Sequence, residues 1–272
     1  MTIIIPHPDQ PSERPVRMIL AATARTVIAL MLREMSTRFG RTPGGYIWAL
    51  VEPIAVLLVL SIGFSLMLRN PSLGTSFLLF YATGYLPLKM FTHVSSTVGR
   101  ALTFSRPLMQ YPTVTWVDAV IARFLLNVLT ELLVAVILIA GIFAVIDTHA
   151  VIKIGPIVTG ILLIMLLGLG IGVLNVVPFG KFPAWERLWS IATRPLVLAS
   201  GLFYIYEDLP QMAQEVLWYN PLLQLTGMVR SGFYPMYDAA YANPVYVLIF
   251  ALVPLFFGVL LMWRFHLDLL QD

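Results

Sequence analysis

The chain has 272 residues, of which 59% are hydrophobic and 11% are charged, and its formal net charge is +3. Charged residues make up about 25% of an ordinary soluble domain, so this composition excludes a water-soluble fold and indicates a membrane protein. The sequence has no cysteine, which excludes disulfides, thiolate metal sites and cysteine nucleophiles.

The N-terminal part predicts a mobile cytoplasmic tail followed by an interfacial helix. Residues 1–16 are rich in proline, and their apolar run is too short for a secretory signal. Over residues 17–40, apolar side chains recur every three or four positions, which predicts an amphipathic helix on the cytoplasmic membrane surface. Glu34 and Arg38 lie near its apolar side. A seventh span is the alternative, and the charged residues of this segment make it expensive in hydrocarbon.

Residues 41–272 are predicted to form one all-α polytopic transmembrane domain with six spans. Pro87 and Lys89 interrupt the second span, and Arg194 with Pro195 interrupts the fifth. The loop before the last span alternates aromatic residues and prolines, which predicts two short re-entrant helices around Pro221. The predicted spans are residues 47–68, 77–92, 119–146, 154–177, 188–206 and 244–263.

Lysine and arginine are concentrated in alternate connections, and this sets the predicted orientation. The segment before the first span carries six arginines, and the connections after the second and fourth spans carry four more basic residues. The opposite side has only Arg69, Lys153 and Arg230, with an acidic last loop. Both termini are therefore predicted to be cytoplasmic.

No catalytic, metal or nucleotide site is expected in this chain. The Gly180–Lys181 pair has Asn175 where a P-loop needs its first glycine, and Phe182 where it needs serine or threonine. If ATP drives this protein, another chain binds the ATP and its magnesium. Gly168 and Gly172 in the fourth span predict close helix packing, because they lie in an apolar helix with no strand before them.

Arg123, Asn127 and Glu131 follow each other at intervals of four residues in the third span, on one helical face. Polar residues in a span face the protein interior. Two interpretations stay open: a polar strip that lines a conduit or relays protons, and hydrogen bonds that join helices. For Glu52, one turn into the first span, structural pairing is favoured.

The start of the first span resembles the entry segment of ABC-2-type permeases, most closely those that export group 2 capsular polysaccharide. The resemblance is carried by Arg-Glu-Met-Ser-Thr-Arg-Phe-Gly at 33–40, Gly-Tyr-Ile-Trp-Ala-Leu at 45–50 and Glu-Pro at 52–53. Asn-Pro-Leu at 220–222, with Arg230 after it, is similar to the re-entrant segment of the same family. The likeness covers essentially the whole chain after about residue 17.

This resemblance implies the membrane subunit of an ATP-driven exporter of lipid-linked polysaccharide in the bacterial inner membrane. It implies a homodimer with two cytoplasmic ATP-binding subunits, and periplasmic and outer-membrane export components beyond it. The 17–40 helix and the first cytoplasmic loop, residues 97–117, would rest on the ATPases, and the re-entrant loop would gate the outer end. No nucleic acid is expected as a partner.

Three groups of candidate residues follow from the resemblance and the residue pattern. The expected ATPase-coupling residues are Arg25, Arg33, Glu34, Arg38, Arg100 and Arg106. The expected substrate entry or conduit residues are Arg38, Arg41, Tyr46, Trp48, Arg123, Asn127 and Glu131. The expected periplasmic gate residues are Trp218, Tyr219, Asn220, Pro221 and Arg230. The aromatic residues are either membrane-belt anchors or flat faces for sugar rings.

Other functions stay open beside this one. Within the same fold, the cargo of an ABC-2 exporter is alternatively an O-antigen, a teichoic acid or a small molecule. An ion-coupled secondary transporter that uses Arg123 and Glu131 would normally show an internal repeat, and none is found. A membrane glycosyltransferase or acyltransferase would need a cluster of histidines or aspartates at an interface, which the sequence lacks.

Overall fold

A computed structural model describes residues 16–39, 45–109, 114–146 and 152–271. Within these ranges the chain is helical and has no strand, which confirms the predicted all-α class. The helices are α1 (Val16–Phe39), α2 (Gly45–Ser65), α3 (Phe77–Gly99), α4 (Ala101–Ser105), α5 (Trp116–Val145), α6 (Ile154–Lys181), α7 (Pro183–Leu198), a short 3-10 helix (Tyr206–Asp208), α8 (Gln211–Leu217), α9 (Pro221–Phe233) and α10 (Pro244–Gln271).

Four helices in the described ranges are long and apolar enough to cross a membrane: α2, α5, α6 and α10. They correspond to the first, third, fourth and sixth predicted spans. The second predicted span is α3, which has 23 residues and is buried along most of its length. Since neighbouring helices rather than lipid surround α3, it carries polar residues such as Lys89 and His93 that a lipid-facing helix would exclude.

The fifth predicted span, residues 188–206, is helical only as far as Leu198. Gly201 adopts a φ of +72°, a left-handed conformation that glycine tolerates, and the chain then continues in turns. The carbonyl groups of Leu202 and Tyr204 accept hydrogen bonds from the Arg230 guanidinium at 3.2 and 2.8 Å. The Arg230 guanidinium therefore satisfies two backbone carbonyls beyond the end of α7.

Helix α6 lies at the centre of the molecule and approaches α3 closely through two glycines. A Cβ atom on Gly172 would lie 2.7 Å from the Cβ of Val98, and one on Gly168 would lie 3.1 Å from a methyl group of Val94. The predicted close packing through Gly168 and Gly172 is therefore confirmed. On its other side, α6 packs along α10.

Contacts at the helix ends divide the molecule into two sides. On one, called the Lys181 side, Lys181 at the end of α6 binds Asp268 of α10 with an N–O distance of 2.9 Å. This hydrogen bond and the charge of Lys181 lower the pKa of the Asp268 carboxyl. On the other, called the Lys153 side, the N–H of Lys153 donates to the carbonyl of Gly232 at 2.8 Å. Connections that the charge pattern assigns to opposite sides are thus separated in space.

Candidate functional site

Arg123, near the start of α5, joins four helices on the Lys181 side. Its guanidinium binds the carboxylate of Glu34 in α1 through two N–O contacts of 3.2 Å. It also donates to the carbonyl of Thr97 in α3 at 3.0 Å and lies over the Phe104 ring of α4 at 4.1 Å. One side chain therefore holds α1, α3 and α4 against α5.

The Arg123–Glu34 pair is buried, with residue exposures of 7% and 4%. The position of Glu34 near the apolar side of α1 follows from this pairing, because that side of α1 packs on α5. Asn127 continues the same face of α5 and donates to the Arg123 carbonyl at 2.7 Å. Since a buried charge is tolerated when it is paired and hydrogen-bonded, the junction depends on both partners.

Glu131, about two turns further along α5, has two partners on α3. One carboxylate oxygen lies 2.6 Å from Nδ1 of His93, and the other lies 3.4 Å from the Lys89 ammonium. Sequence reasoning missed this pairing and treated Lys89 only as an interruption of the second span. The signal that points to it is the interval of four residues between Lys89 and His93, which puts both on one helical face.

A cavity of about 650 Å³ opens beside the Glu131 cluster, between α2, α3, α5, α7 and the end of α6. Trp48 and Glu131, two of the expected conduit residues, line it. Its ionisable lining residues are Glu52, Lys89, His93, Arg100, Glu131 and Glu186, and its larger aromatic ones are Trp48, Tyr85, Phe91, Phe179 and Trp189. The cavity thus combines charges of both signs with flat apolar rings.

Two further observations concern the ionisable groups of this cavity. Arg100, an expected coupling residue, binds Glu186 of α7 at 2.7 Å and so connects the end of α3 to α7. Glu52 faces the cavity and is exposed, and it forms no ion pair with any residue in the described part of the chain. The structural pairing favoured for Glu52 is therefore not found within that part.

Arg230 of α9 is the centre of the expected gate on the Lys153 side, and it is buried. Besides the carbonyls of Leu202 and Tyr204, its guanidinium contacts the Phe80 ring of α3, with 4.1 Å between the guanidinium carbon and the ring centre. Gly84 leaves room for this side chain, since a Cβ there would lie 2.8 Å from a guanidinium nitrogen. Arg230 thus fixes α9 to α3 and to the segment after α7.

Other expected gate residues brace the same region through bonds to the backbone. The Asn220 amide donates to the carbonyl of Ala199, just after α7, at 2.9 Å. The Trp218 indole donates to the carbonyl of Tyr241 at 3.1 Å. Pro221 is buried in the first turn of α9, whereas Tyr219 is exposed. These bonds hold the segment before α9 against the backbone just after α7 and just before α10.

Two tyrosines between α9 and α10 complete this brace. The Tyr237 hydroxyl donates to the Glu207 carboxylate at 3.1 Å, and the Tyr241 ring stacks on Tyr206 with 4.0 Å between ring centres. Burial raises the pKa of Tyr241 to about 12, and it also raises the pKa of Tyr237. Both phenols therefore stay protonated at physiological pH and remain hydrogen-bond donors.

The remaining candidate residues are placed as follows, and their roles stay predictions. Arg25 is exposed and bonds within its own helix, and Arg33 and Arg106 are half-buried. Arg38 and Tyr46 belong to α1 and α2, but their side chains lie outside the described part of the chain. Arg41 lies outside the described residues altogether.

Comparison with known proteins gives one family match that covers most of the chain. Residues 25–234 match the family model described as ABC-2 type transporter. The polysialic acid transport protein KpsM of Escherichia coli is 30% identical over 87% of this chain and 92% of its own length. The capsule polysaccharide export inner-membrane proteins CtrC of Neisseria meningitidis serogroup B and BexB of Haemophilus influenzae are 26% and 24% identical, each over 90% of this chain and 93% of their own length.

Proposed function

This chain belongs to the ABC-2 type transporter family, and we propose that it is the permease subunit of an exporter of lipid-linked capsular polysaccharide in the bacterial inner membrane. The observation that carries the proposal is the likeness to capsule export proteins over 87% to 90% of the chain. ATP and magnesium bind to a partner subunit, and this chain supplies the passage and the surfaces that couple it to ATP hydrolysis.

The proposed topology has six spans, of which α3 is the second. Its 23 residues measure about 35 Å at 1.5 Å per residue, which exceeds the roughly 30 Å hydrocarbon core of a bilayer. Its first turn contacts Arg230 and its last turns contact Arg123, so its ends lie at opposite sides of the molecule. The segment from α7 to Tyr204 makes the fifth crossing. The Lys181 side carries the larger share of basic residues and is assigned to the cytoplasm.

We further propose a homodimer whose seam is formed by α2 and α7. Val59 and Ile62 of α2 are 71% and 59% exposed, and Arg194 of α7 is also exposed. An exposed arginine within a proposed span is expensive when it faces hydrocarbon, so this face needs a wet passage or protein beside it. A second copy related by a two-fold axis supplies both, and the cavity becomes part of the passage wall.

The seam is testable because introduced cysteines are the only thiols in this chain. Val59→Cys on α2 and Ile191→Cys on α7, alone and together, are expected to give a cross-linked dimer with a short bis-maleimide in membranes. Leu133→Cys is the matched control, since it lies on the exposed side of α5 and outside the seam. Equal cross-linking of the control, or no cross-linking of either seam variant, would contradict the proposed dimer.

Coupling is proposed to run through Arg123. In the ABC-2-type permeases that this sequence resembles, the segments that correspond to α1 and to the loop containing α4 rest on the ATP-binding subunits. Arg123 ties both elements to α3 and α5. The same two helices carry His93, about one turn from Thr97, and Glu131, about two turns from Arg123, in the cavity wall. A push on α1 and α4 therefore moves the wall of the passage as one body.

The cavity lining suits a polymer that must slide without being held. Charges of both signs line it, together with Trp48 and Trp189. Aromatic faces contribute apolar contact. Lys89 and Arg100 are each paired with a carboxylate, so neither holds a sugar unit as a free charge. Many weak contacts of this kind fit the passage of a long glycan better than a single tight site.

The function is tested by genetics and by reconstitution of the complex. Deletion of the gene is expected to remove surface polysaccharide while lipid-linked polysaccharide accumulates inside the cell. Purified chain alone is expected to hydrolyse no ATP, and the complex with its ATP-binding subunit is expected to hydrolyse ATP and export glycan. Full hydrolysis by the chain alone, or unchanged surface glycan, would sink the proposal. Loss of O-antigen or teichoic acid with capsule retained would identify that polymer as the cargo instead.

A further inference from the structure

A second cavity, an apolar groove of about 330 Å³, lies between α3, α5, α6 and α9. Isoleucine, leucine, valine, alanine and phenylalanine side chains form most of its wall. The Thr83 hydroxyl at its edge already donates to the carbonyl of Phe80 at 3.0 Å. Because ordered water needs two or more polar partners, such a groove is filled by hydrocarbon rather than by water.

The groove opens toward the membrane and away from the proposed seam. Its lining includes no described residue of α2 or α7, and Val136 and Ile152 at its mouth are 64% and 45% exposed. Both α5 and α6 are candidate membrane spans, so a mouth between them faces lipid. A second copy seated at the α2–α7 seam leaves this groove open.

The length of the groove matches one leaflet. Its lining on α5 runs from Leu132 to Phe143, which is about 16 Å of helix at 1.5 Å per residue and about half of the 30 Å hydrocarbon core. The groove ends near Ile152, next to Lys153. The Lys153 ammonium is exposed and lies 3.4 Å from the carbonyl of Pro235, so a positive charge is held at the mouth.

We propose that this groove binds one acyl chain of an anionic membrane phospholipid, with the phosphate of the headgroup on Lys153. The chain packs against Val229 and Phe233, which flank Arg230 on α9. A bound lipid therefore braces the helix that carries the expected gate. The proposal requires only that the chain lies in a membrane, and it does not depend on the cargo.

The test uses the full-length chain in nanodiscs with a phosphatidylglycerol that carries a diazirine on its acyl chain, followed by mass spectrometry of the labelled peptides. Labelling is expected to concentrate on residues 132–143 and 157–164. Ala135→Trp fills the groove and should reduce this labelling several-fold. Leu133→Trp, on the exposed face of α5 but outside the groove, is the matched control and should leave it unchanged.

The headgroup is tested with a phosphatidylcholine that carries the same diazirine on its acyl chain. Lys153→Gln should lower phosphatidylglycerol labelling to the phosphatidylcholine level, whereas Lys153→Arg should retain the difference.

Ala140→Phe provides a second way to fill the groove if Ala135→Trp is not monodisperse. Labelling spread evenly over all exposed helices, or unchanged after the groove is filled, would overturn the proposal. If the groove is not labelled in a chain that still forms the cross-linked dimer and exports glycan, the lipid proposal is overturned and the proposed function stands.

Discussion

Arg123→Glu is expected to abolish export and to lower the thermal stability of the purified chain, and Glu34→Arg in the same chain is expected to restore part of both. Removing one partner of a buried ion pair leaves the other charge buried alone, which costs about 3–5 kcal/mol. The exchange restores the pairing of charges. Recovery is partial because Arg123 also binds the Thr97 carbonyl and the Phe104 ring, and an arginine at position 34 lies on a different helix.

A double-mutant cycle with Arg123→Ala and Glu34→Ala measures this interaction directly. The two single changes should each destabilise the chain, and the double change should cost less than their sum, because residues in direct contact are not additive. Arg25→Ala is the matched control for stability, since Arg25 is an exposed arginine of α1, the helix that carries Glu34. Additive effects within the error of the unfolding measurement would show that the pair does not join α1 to α5.

The same variants separate stability from coupling. Arg123→Lys keeps the charge but loses the planar fork that binds the Glu34 carboxylate and the Thr97 carbonyl together. The chain should therefore fold and bind its ATP-binding subunit, while ATP hydrolysis by the complex exports less glycan per ATP. An unchanged ratio of export to hydrolysis would assign Arg123 to folding alone.

Arg230→Met is expected to have the second large effect, a strong loss of thermal stability together with loss of export. The carbonyls of Leu202 and Tyr204 lose their donor, and a buried acceptor without a partner costs about 1–3 kcal/mol. Arg230→Lys should recover little, because one ammonium group cannot replace a guanidinium that bridges both carbonyls and stacks on Phe80.

Two further variants make this test specific. Arg69→Met removes an exposed arginine between α2 and α3 and should leave the unfolding temperature unchanged. Gly84→Ala disturbs the packing of the Arg230 side chain against α3, since the added Cβ would lie 2.8 Å from a guanidinium nitrogen. It should therefore reproduce part of the Arg230→Met effect. A stable Arg230→Met chain that exports normally would rule out the brace around the end of α7.

Much of the architecture is predictable from local pattern. Apolar runs longer than a bilayer requires identify α2, α5, α6 and α10, since hydrocarbon accepts only helices that satisfy their own backbone. The three-four spacing before the first span predicts a helix over 17–40, and the described residues of that segment form α1, Val16–Phe39. The charge distribution separates the connections into two groups, and the contacts of Lys181 and Lys153 agree with that separation.

The residue pairs come only from the tertiary structure. The intervals of four residues in α5 show that Arg123 and Glu131 share a face, but a helical repeat does not say which helix lies opposite that face. Glu34 stands 89 residues before Arg123 in the chain, and their contact depends on how α1 packs on α5. The same reason explains why Lys89 looked like a defect of the second span and proves to be a partner of Glu131.

Composition and apolar run length were enough to identify a helical membrane protein, because both act locally along the chain. The interfacial position of the N-terminal helix stays a prediction. Three features emerge only from the packing of the whole chain: other helices shelter α3, α7 ends at Leu198, and Arg230 satisfies the backbone beyond that end. Those features depend on which helices pack together. Helix pairing in turn depends on whole helix faces from distant parts of the chain, through close packing of glycines on valines and through ion pairs of opposite charge.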